Sequence, residues 1–322
     1  MTDFRPSRRA ALWGAAALAA LAALTGAAQA ADCPEGFPEK PITFMVGFGA
    51  GGGTDAIGRS IAAAIEEQQG WDIVVENRPG ASGGVMAAAL MEMPPDGYTI
   101  GMAGTDTVTV NPYETADSPY THADFDYLGS AMQINFGLVA LEEKPYDTLE
   151  EFIEYAREQG RATVSVAGVS QTVAVRQMAE HFDVNLVPVP GKGAADALQQ
   201  ALGGHVDATT QGSQHVQQIK AGNMVQLASL IGKRVPYAPD SKTLIESGMD
   251  VSLEAHTTFL VPKGMDAEIK TCLAEAIDEA TQSEGYAELM EKFQNRALNL
   301  GPEGVEEVVA RMAAFYEEAL SD

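Results

Sequence analysis

Basic side chains are scarce in this chain. Lysine and arginine number 20 against 45 aspartates and glutamates, a net charge of −25 over 322 residues. Phosphodiester backbones and anionic lipid surfaces repel such a chain, which excludes nucleic acid and charged membranes as partners. Cysteine is scarcer still, with only Cys33 and Cys272 present. Two thiols cannot build a cysteine-rich zinc site. In an oxidising compartment they either pair, tying the N-terminal segment to a C-terminal helix, or stand as two free thiols. The carboxylates of Asp196, Asp207 and Glu254 have no acid–base or metal-cage spacing, and Met86, Met91 and Met93 sit on or beside a helix as packing residues. No metal and no cofactor is implied.

Long apolar runs are also missing, with one exception. Ala10–Leu24 follows the basic residues Arg5, Arg8 and Arg9 and precedes Ala28-Gln29-Ala30, a small-x-small cleavage pattern. This reads as a cleaved secretory signal over residues 1–30, of Sec or twin-arginine type. Asp32 before Cys33 is not the small residue a lipoprotein site requires. The mature chain is expected in the periplasm, and its roughly 290 residues suit two domains.

What the chain has in quantity is glycine, and the densest cluster lies in Pro41–Arg59, PITFMVGFGAGGGTDAIGR. The apolar run Ile42–Val46 breaks into Gly47, Gly49, Gly51, Gly52 and Gly53, and Thr54-Asp55 opens a helical pattern. Such a strand–loop–helix junction gathers backbone N–H groups at the positive end of a helix dipole. It is suited to holding an anion. The amides of Gly51–Thr54 are the expected donors, with Gly52 the position least able to carry a side chain.

Short β-like runs alternate with helical stretches along the mature chain. Examples are Ile42–Val46 before Ala56–Glu67, Ile73–Glu76 before Ser82–Met93, and Ala162–Val166 before Thr172–His181. Val206–Thr209 precedes a helix over Ser213–Ala221, and Thr148 with Glu151 forms a capping box ahead of Leu149–Gln159. The alternation predicts an α/β fold with parallel sheets. From Asp266 onward the pattern is almost all helix, broken near Gly285 and at Gly301-Pro302. Extended segments near Phe136–Leu141 and Ser252–Val261 are the expected crossovers between two lobes. That gives residues 31–137 plus 256–322 as lobe 1 and residues 138–255 as an inserted lobe 2.

Two catalytic patterns compete for the glycine loops. Gly47-x-Gly49-x-x-Gly52, with Glu76 ending the next strand, matches a dinucleotide fingerprint. An exported protein lacks access to free nicotinamide cofactor, and no glycine-lysine-Ser/Thr completes a phosphate loop. Gly80-Ala81-Ser82-Gly83-Gly84 matches the G-x-S-x-G elbow of hydrolases. Asn77-Arg78-Pro79 separates Ser82 from its strand, and none of His205, His215 and His256 is marked as its base. Ser82 reads better as a helix cap or a ligand hydroxyl.

Taken in order, the loops resemble those of a known family. Pro41–Arg59, Asn77–Gly83, Pro95–Thr99, Val189–Gly193, Ala197–Asp207, Lys233-Arg234, Pro239-Asp240, Thr243–Gly248 and Val261-Pro262 are similar to the Bug-type (Bordetella uptake gene) solute receptors of tripartite tricarboxylate transporters. The resemblance covers about residues 38–315. It implies a two-lobed periplasmic-binding-protein (Venus flytrap) fold, type II-like, with a carboxylate held in the cleft by backbone amides and waters. The ligand-binding residues it implies are Phe48, Gly49, Gly51, Gly52, Gly53, Thr54 and Asp55 in the first loop. Ser82, Gly83, Thr105 and Gln211 would add to the wall, and Gly168, Ser170, Gln171, Thr172, Gly191, Lys192, Gly193 and Ala194 would face them. The implied partners are a small organic carboxylate, di- or tricarboxylate or related, and the permease subunits of the transporter, with the receptor itself a monomer and not an enzyme. A sensor of the same fold, or an exported hydrolase using Ser82, are the competing readings. The sequence departs from the family at Gly191, where an aromatic is usual, at His256 in place of a tryptophan, and at Val169 and Val173, where glycine and histidine are frequent.

Overall fold

The computed structural model of the chain describes residues 31, 33–114, 118–191, 193–213 and 215–320. The expected signal segment and Lys192 lie outside them. In chain order the first elements are β1 (Ile42–Val46), α1 (Gly53–Gln69), β2 (Ile73–Asn77), α2 (Gly84–Met91), β3 (Thr99–Gly104), α3 (Asp106–Thr109) and α4 (Asn111–Glu114). Then come β4 (Phe125–Gln133), β5 (Gly137–Leu141), α5 (Leu149–Gln159), β6 (Ala162–Val166), α6 (Val169–His181), β7 (Leu186–Pro190), α7 (Ala194–Leu202), β8 (Ala208–Gln211), α8 (Val216–Lys220) and β9 (Met224–Ser229). The chain ends with β10 (His256–Pro262), α9 (Ala267–Thr281), α10 (Glu284–Lys292) and α11 (Gly301–Ala319).

These strands make two five-stranded sheets, ordered β2-β1-β3-β10-β4 and β7-β6-β8-β5-β9. The chain passes between them through Ile134–Phe136 and Leu253–Ala255, which are knit together where the Ile134 N–H donates to the Ala255 carbonyl at 2.8 Å. The expectation of parallel sheets holds for β1–β3 and β6–β8 only. β10 runs antiparallel to β3 and β4, and β5 antiparallel to β8 and β9. Strands that follow a crossover enter from the opposite end, and β4 carries no period-2 signal because eight of its nine residues are buried.

The helices follow local rules. In α1, Ile57, Ile61 and Ile65 recur every fourth residue and pack with Phe44, Ile100 and Ile277 in one core. Each such fully buried side chain stabilises the lobe by roughly 1.5–3 kcal/mol. Gly70 ends α1 at φ +71 with its N–H on the Glu66 carbonyl. The Thr148 hydroxyl accepts the Glu151 N–H at 3.3 Å, while the Glu151 carboxylate reaches one residue further back, to the Asp147 N–H. The breaks after Asp266 differ from the sequence reading. Gly285 lies inside α10, Gly301-Pro302 starts α11, and the real interruptions are Gln282-Ser283 and the stretch from Phe293 to Leu300. Helices expected over Ser82–Met93 and Ser213–Ala221 shorten to α2 and α8, since residues 81–83 form a separate 3-10 turn.

Cys33 and Cys272 form a disulfide, with Cα atoms 4.8 Å apart across a sequence separation of 239. It ties the segment before β1 to α9. Denatured but unreduced protein should therefore take up no alkylating label, and two labelled cysteines in its intact mass would remove the bond.

Candidate functional site

The loops that leave the carboxyl ends of β1, β2, β3 and β6 meet around a cavity of about 140 Å³. Ligands in open α/β sheets bind at that end of the strands. β1 supplies Phe48, the turn after β2 supplies Ser82, the segment after β3 supplies Asp106, Thr107 and Asn111, and the loop after β6 supplies Gly168, Ser170 and Gln171. Ile134, in the first crossover, forms part of the wall. No lysine or arginine is among the described residues that line it.

The glycine loop is held from below by Asp55. Its carboxylate accepts the Gly51 N–H at 2.9 Å, the Arg59 Nε at 3.1 Å and the Asn77 Nδ2 at 2.9 Å, and Asn77 also donates to the Phe48 carbonyl at 3.0 Å. Arg59 foremost, with Gly51 and Asn77, lowers the Asp55 pKa to about 2 against the opposing effect of burial. Both carboxylate oxygens are therefore occupied, and the Asp55 side chain shapes the loop. A depressed carboxylate pKa contributes stability that is complete above the unfolded value and lost as pH falls through the folded one. The network should accordingly weaken between about pH 4 and pH 2. Since Arg59 is half exposed, the loss is about 1–2 kcal/mol. An acid titration in which wild type and Asp55→Asn lose stability in parallel would contradict this.

The donors that remain free are one step further along than the sequence reading placed them. The Gly51 N–H is taken by Asp55, and the Gly52 N–H points to the Gly49 carbonyl at 3.3 Å. The first bond of α1 runs from the Ala56 N–H to Gly52. The N–H groups of Gly53, Thr54 and Asp55 have no acceptor among the described residues, as a helix N-terminus dictates. They stand at the positive end of a 17-residue helix. The left-handed residue is Gly51 at φ +79, whereas Gly52 has φ −80 and a Cβ there would lie 3.2 Å from the Gly49 carbonyl oxygen. Gly49, Gly51, Gly52 and Gly53 are exposed, Thr54 is half-buried, and the loop adjoins the cavity through Phe48.

Opposite, Gly168 is the uncapped N-cap of α6, and the Ala167 N–H donates to the Gln171 side chain at 2.6 Å. The Ser170 hydroxyl donates to Asp106 Oδ2 at 3.0 Å, a bond from one lobe to the other. Beside it Val169 packs against Val110, Val308, Met312 and Tyr316. Burial first, and the Asp106 carboxylate second, push the Tyr316 hydroxyl pKa upward.

Ser82 sits on the wall with φ +50, and its neighbour Ala81 has φ +45. Non-glycine residues in this region need outside support. Thr107 Oγ1 donates to the Ser82 carbonyl at 2.8 Å, Asn111 Nδ2 donates to the Ala81 carbonyl, and the Tyr120 hydroxyl bonds both Asn111 and the Thr107 carbonyl at 2.9 Å. His215 meets Gln226 and Tyr237, and His256 meets Glu254. Neither ring bonds Ser82.

Other residues implied by the resemblance have structural partners. Thr105 exchanges hydrogen bonds with the His256 backbone, and Gly83 packs where a Cβ would fall 2.6 Å from Thr107 Oγ1. The Thr172 hydroxyl donates to the Gly168 carbonyl within its own helix. Gly191 donates its N–H to Val166 and closes on Ala197, Gly193 caps α7 at φ +132, and Ala194 begins that helix. Gln211 is buried with its Nε2 on Thr209 and its Oε1 without a partner. None of these lines the 140 Å³ cavity. Asp106, Thr107, Val110 and Asn111 do, and no pattern in the sequence reading had picked them out.

Residues 57–310 match the family model described as Tripartite tricarboxylate transporter family receptor. A Cupriavidus necator protein, UPF0065 protein in gbd 5'region, is 30% identical over 288 residues, covering 88% of this chain and 86% of its own. The crystal structure of a TctC solute binding protein from Polaromonas superposes with TM-score 0.74 at 27% identity, covering 88% of this chain and 99% of its own. The periplasmic binding protein BugD gives TM-score 0.73 at 27% identity, covering 88% and 98%.

Proposed function

The chain belongs to the tripartite tricarboxylate transporter receptor family, and from that premise we propose that it captures a small organic carboxylate in the periplasm and hands it to the permease subunits of its transporter. The observation that carries this reading is the set of unengaged N–H groups at Gly53, Thr54 and Asp55, at the head of α1 and beside the cavity. In a chain of net charge −25, an anion needs local neutralisation, and helix-terminal amides supply it without lysine or arginine. Gly168, Ser170 and Gln171 close on it from the second lobe, with Ser82 offering a hydroxyl.

Residues 1–30 act as the export signal in this reading. Among the described residues, no helix is long and apolar enough to cross a membrane. The receptor works as a monomer and leaves its ligand chemically unchanged.

A thermal-shift screen of mono-, di- and tricarboxylates tests the proposal, because a ligand that binds only the folded state raises its melting temperature by mass action. At least one carboxylate should stabilise the protein, with amines and neutral sugars silent. Mass spectrometry of the released ligand should return it intact. Turnover of the bound acid would make the protein an enzyme, and stabilisation by neutral sugars alone would end the carboxylate reading.

A further inference from the structure

The first crossover segment, Ile134–Phe136, contributes neighbouring residues to two different cavities. Ile134 lines the 140 Å³ site, while its neighbour Asn135 lines a second cavity of about 440 Å³. Successive residues of an extended segment point to opposite sides, so the second cavity lies behind the crossover. Lys233 and Arg234 come to it from the lobe of β5–β9, Glu291 from the last turn of α10, and Gln294 and Arg296 from the segment that follows that helix.

Its charges are arranged unusually for so acidic a chain. Arg234 is consumed by Glu246, at 2.9 and 3.1 Å, and by the Pro239 carbonyl at 3.0 Å. Lys233 and Arg296 have no carboxylate partner among the described residues, although acids outnumber bases by 45 to 20. Burial and the nearby Arg296 both push the Lys233 pKa down. Asn135, which lines the same cavity, is only 5% exposed, and its buried Oδ1 has no hydrogen-bond partner among the described residues. Buried amide oxygens are nearly always satisfied, and this one belongs to a residue of the cavity wall, which points to a missing occupant. The loop that carries Arg296 is fixed in place, because Asn295 Nδ2 donates to the Gln133 carbonyl at 2.8 Å.

We propose that this rear cavity is a second anion site, taking phosphate or a phosphate monoester. Lys233 from one lobe and Arg296 from the other supply the charge. The Asn135 oxygen accepts the proton that hydrogenphosphate, or a phosphate monoester in its singly charged form, carries and sulfate lacks. Glu291, at the edge, disfavours larger polyanions. An occupant would join the two lobes behind the crossover and so bias the closure of the carboxylate cleft in front.

Calorimetry with inorganic phosphate, sodium sulfate and glycerol 3-phosphate, at constant ionic strength against chloride, tests this. Phosphate should bind wild type at least about tenfold more tightly than sulfate. That binding should survive Gly53→Pro, which disables the front amides, and fall at least about tenfold in Lys233→Gln, Arg296→Gln and Asn135→Leu. Lys40→Gln, which makes the same change in net charge elsewhere, should leave it unaltered. A stronger response to the monoester would identify an organic phosphate as the occupant, and a stronger response to the inorganic ion would identify free phosphate. Absence of phosphate binding in wild type, or equal affinity in Lys233→Gln and Arg296→Gln, overturns the site. Loss in Gly53→Pro alone would assign the anion to the front cleft. Neither result touches the carboxylate reading, whose test uses different ligands.

Discussion

Replacing Gly53 by proline should weaken carboxylate binding roughly ten- to a hundredfold while making the fold slightly more stable. Gly53 is the first residue of α1, and its N–H has no acceptor among the described residues. Proline is favoured at that position, where the missing donor costs the helix nothing. The preceding residue must then be extended, and Gly52 already is, at φ −80 and ψ 171. The nearest atom to a Cβ at Gly53 is a ring carbon of Phe293 at 3.9 Å, an ordinary contact. Restricting the unfolded chain adds about 0.4–1 kcal/mol of stability. The ligand, by contrast, loses one hydrogen bond to a charged group, about 1.5–3 kcal/mol, and meets the proline ring where the hydrogen stood. Gly53→Ala keeps the N–H and should bind as wild type. Calorimetry and thermal unfolding on both variants decide the matter, and equal affinities for the alanine and proline forms would sink the backbone cradle.

The strand–loop–helix junction is legible in the sequence because it is local. A β run, five glycines and a helical period within nineteen residues specify a strand, a loop and a helix N-terminus without help from the rest of the chain. Which amides stay free was not legible, because it depends on Asp55, and Asp55 is recruited to the loop by Asn77 from the next strand. The same limit explains Gly52. Density of glycine marks a turn but not which residue takes the positive φ, and here Gly51 does. Asp106 and Asn111 escaped notice for a different reason. They follow β3 on the very short helices α3 and α4, which lack any amphipathic period to announce them. Their roles are set by Ser170 and Ala81, distant in sequence, and by Tyr120, which lies beyond α4. Likewise Val169 and His256, where the chain departs from its family, are explained by packing partners. Val169 fills an apolar cluster, and His256 is buried with a ring bond to Glu254, which pairs with Arg311.

Asp106→Asn should tighten binding of a plain di- or tricarboxylate by about tenfold or more. Asp106 puts a carboxylate on the wall of the site proposed to receive an anion, and no lysine or arginine is among the described residues that line that cavity with it. Like charges about 6–8 Å apart repel by roughly 2–3 kcal/mol at the effective dielectric of a protein site, less where solvent enters. The isosteric amide removes the repulsion while its carbonyl oxygen still accepts the Ser170 hydroxyl, so the bond between the lobes survives. Closure and stability should change little. The receptor keeps the acid for a reason that the direction of the effect reveals. If the natural ligand carries an ammonium group beside its carboxylates, Asp106 is its counter-ion and Asp106→Asn weakens binding instead. Titrating wild type and variant with one dicarboxylate and its 2-amino derivative separates the two. A gain for the first with a loss for the second would assign Asp106 to ligand choice, and equal affinities for both would show that the ligand never approaches it.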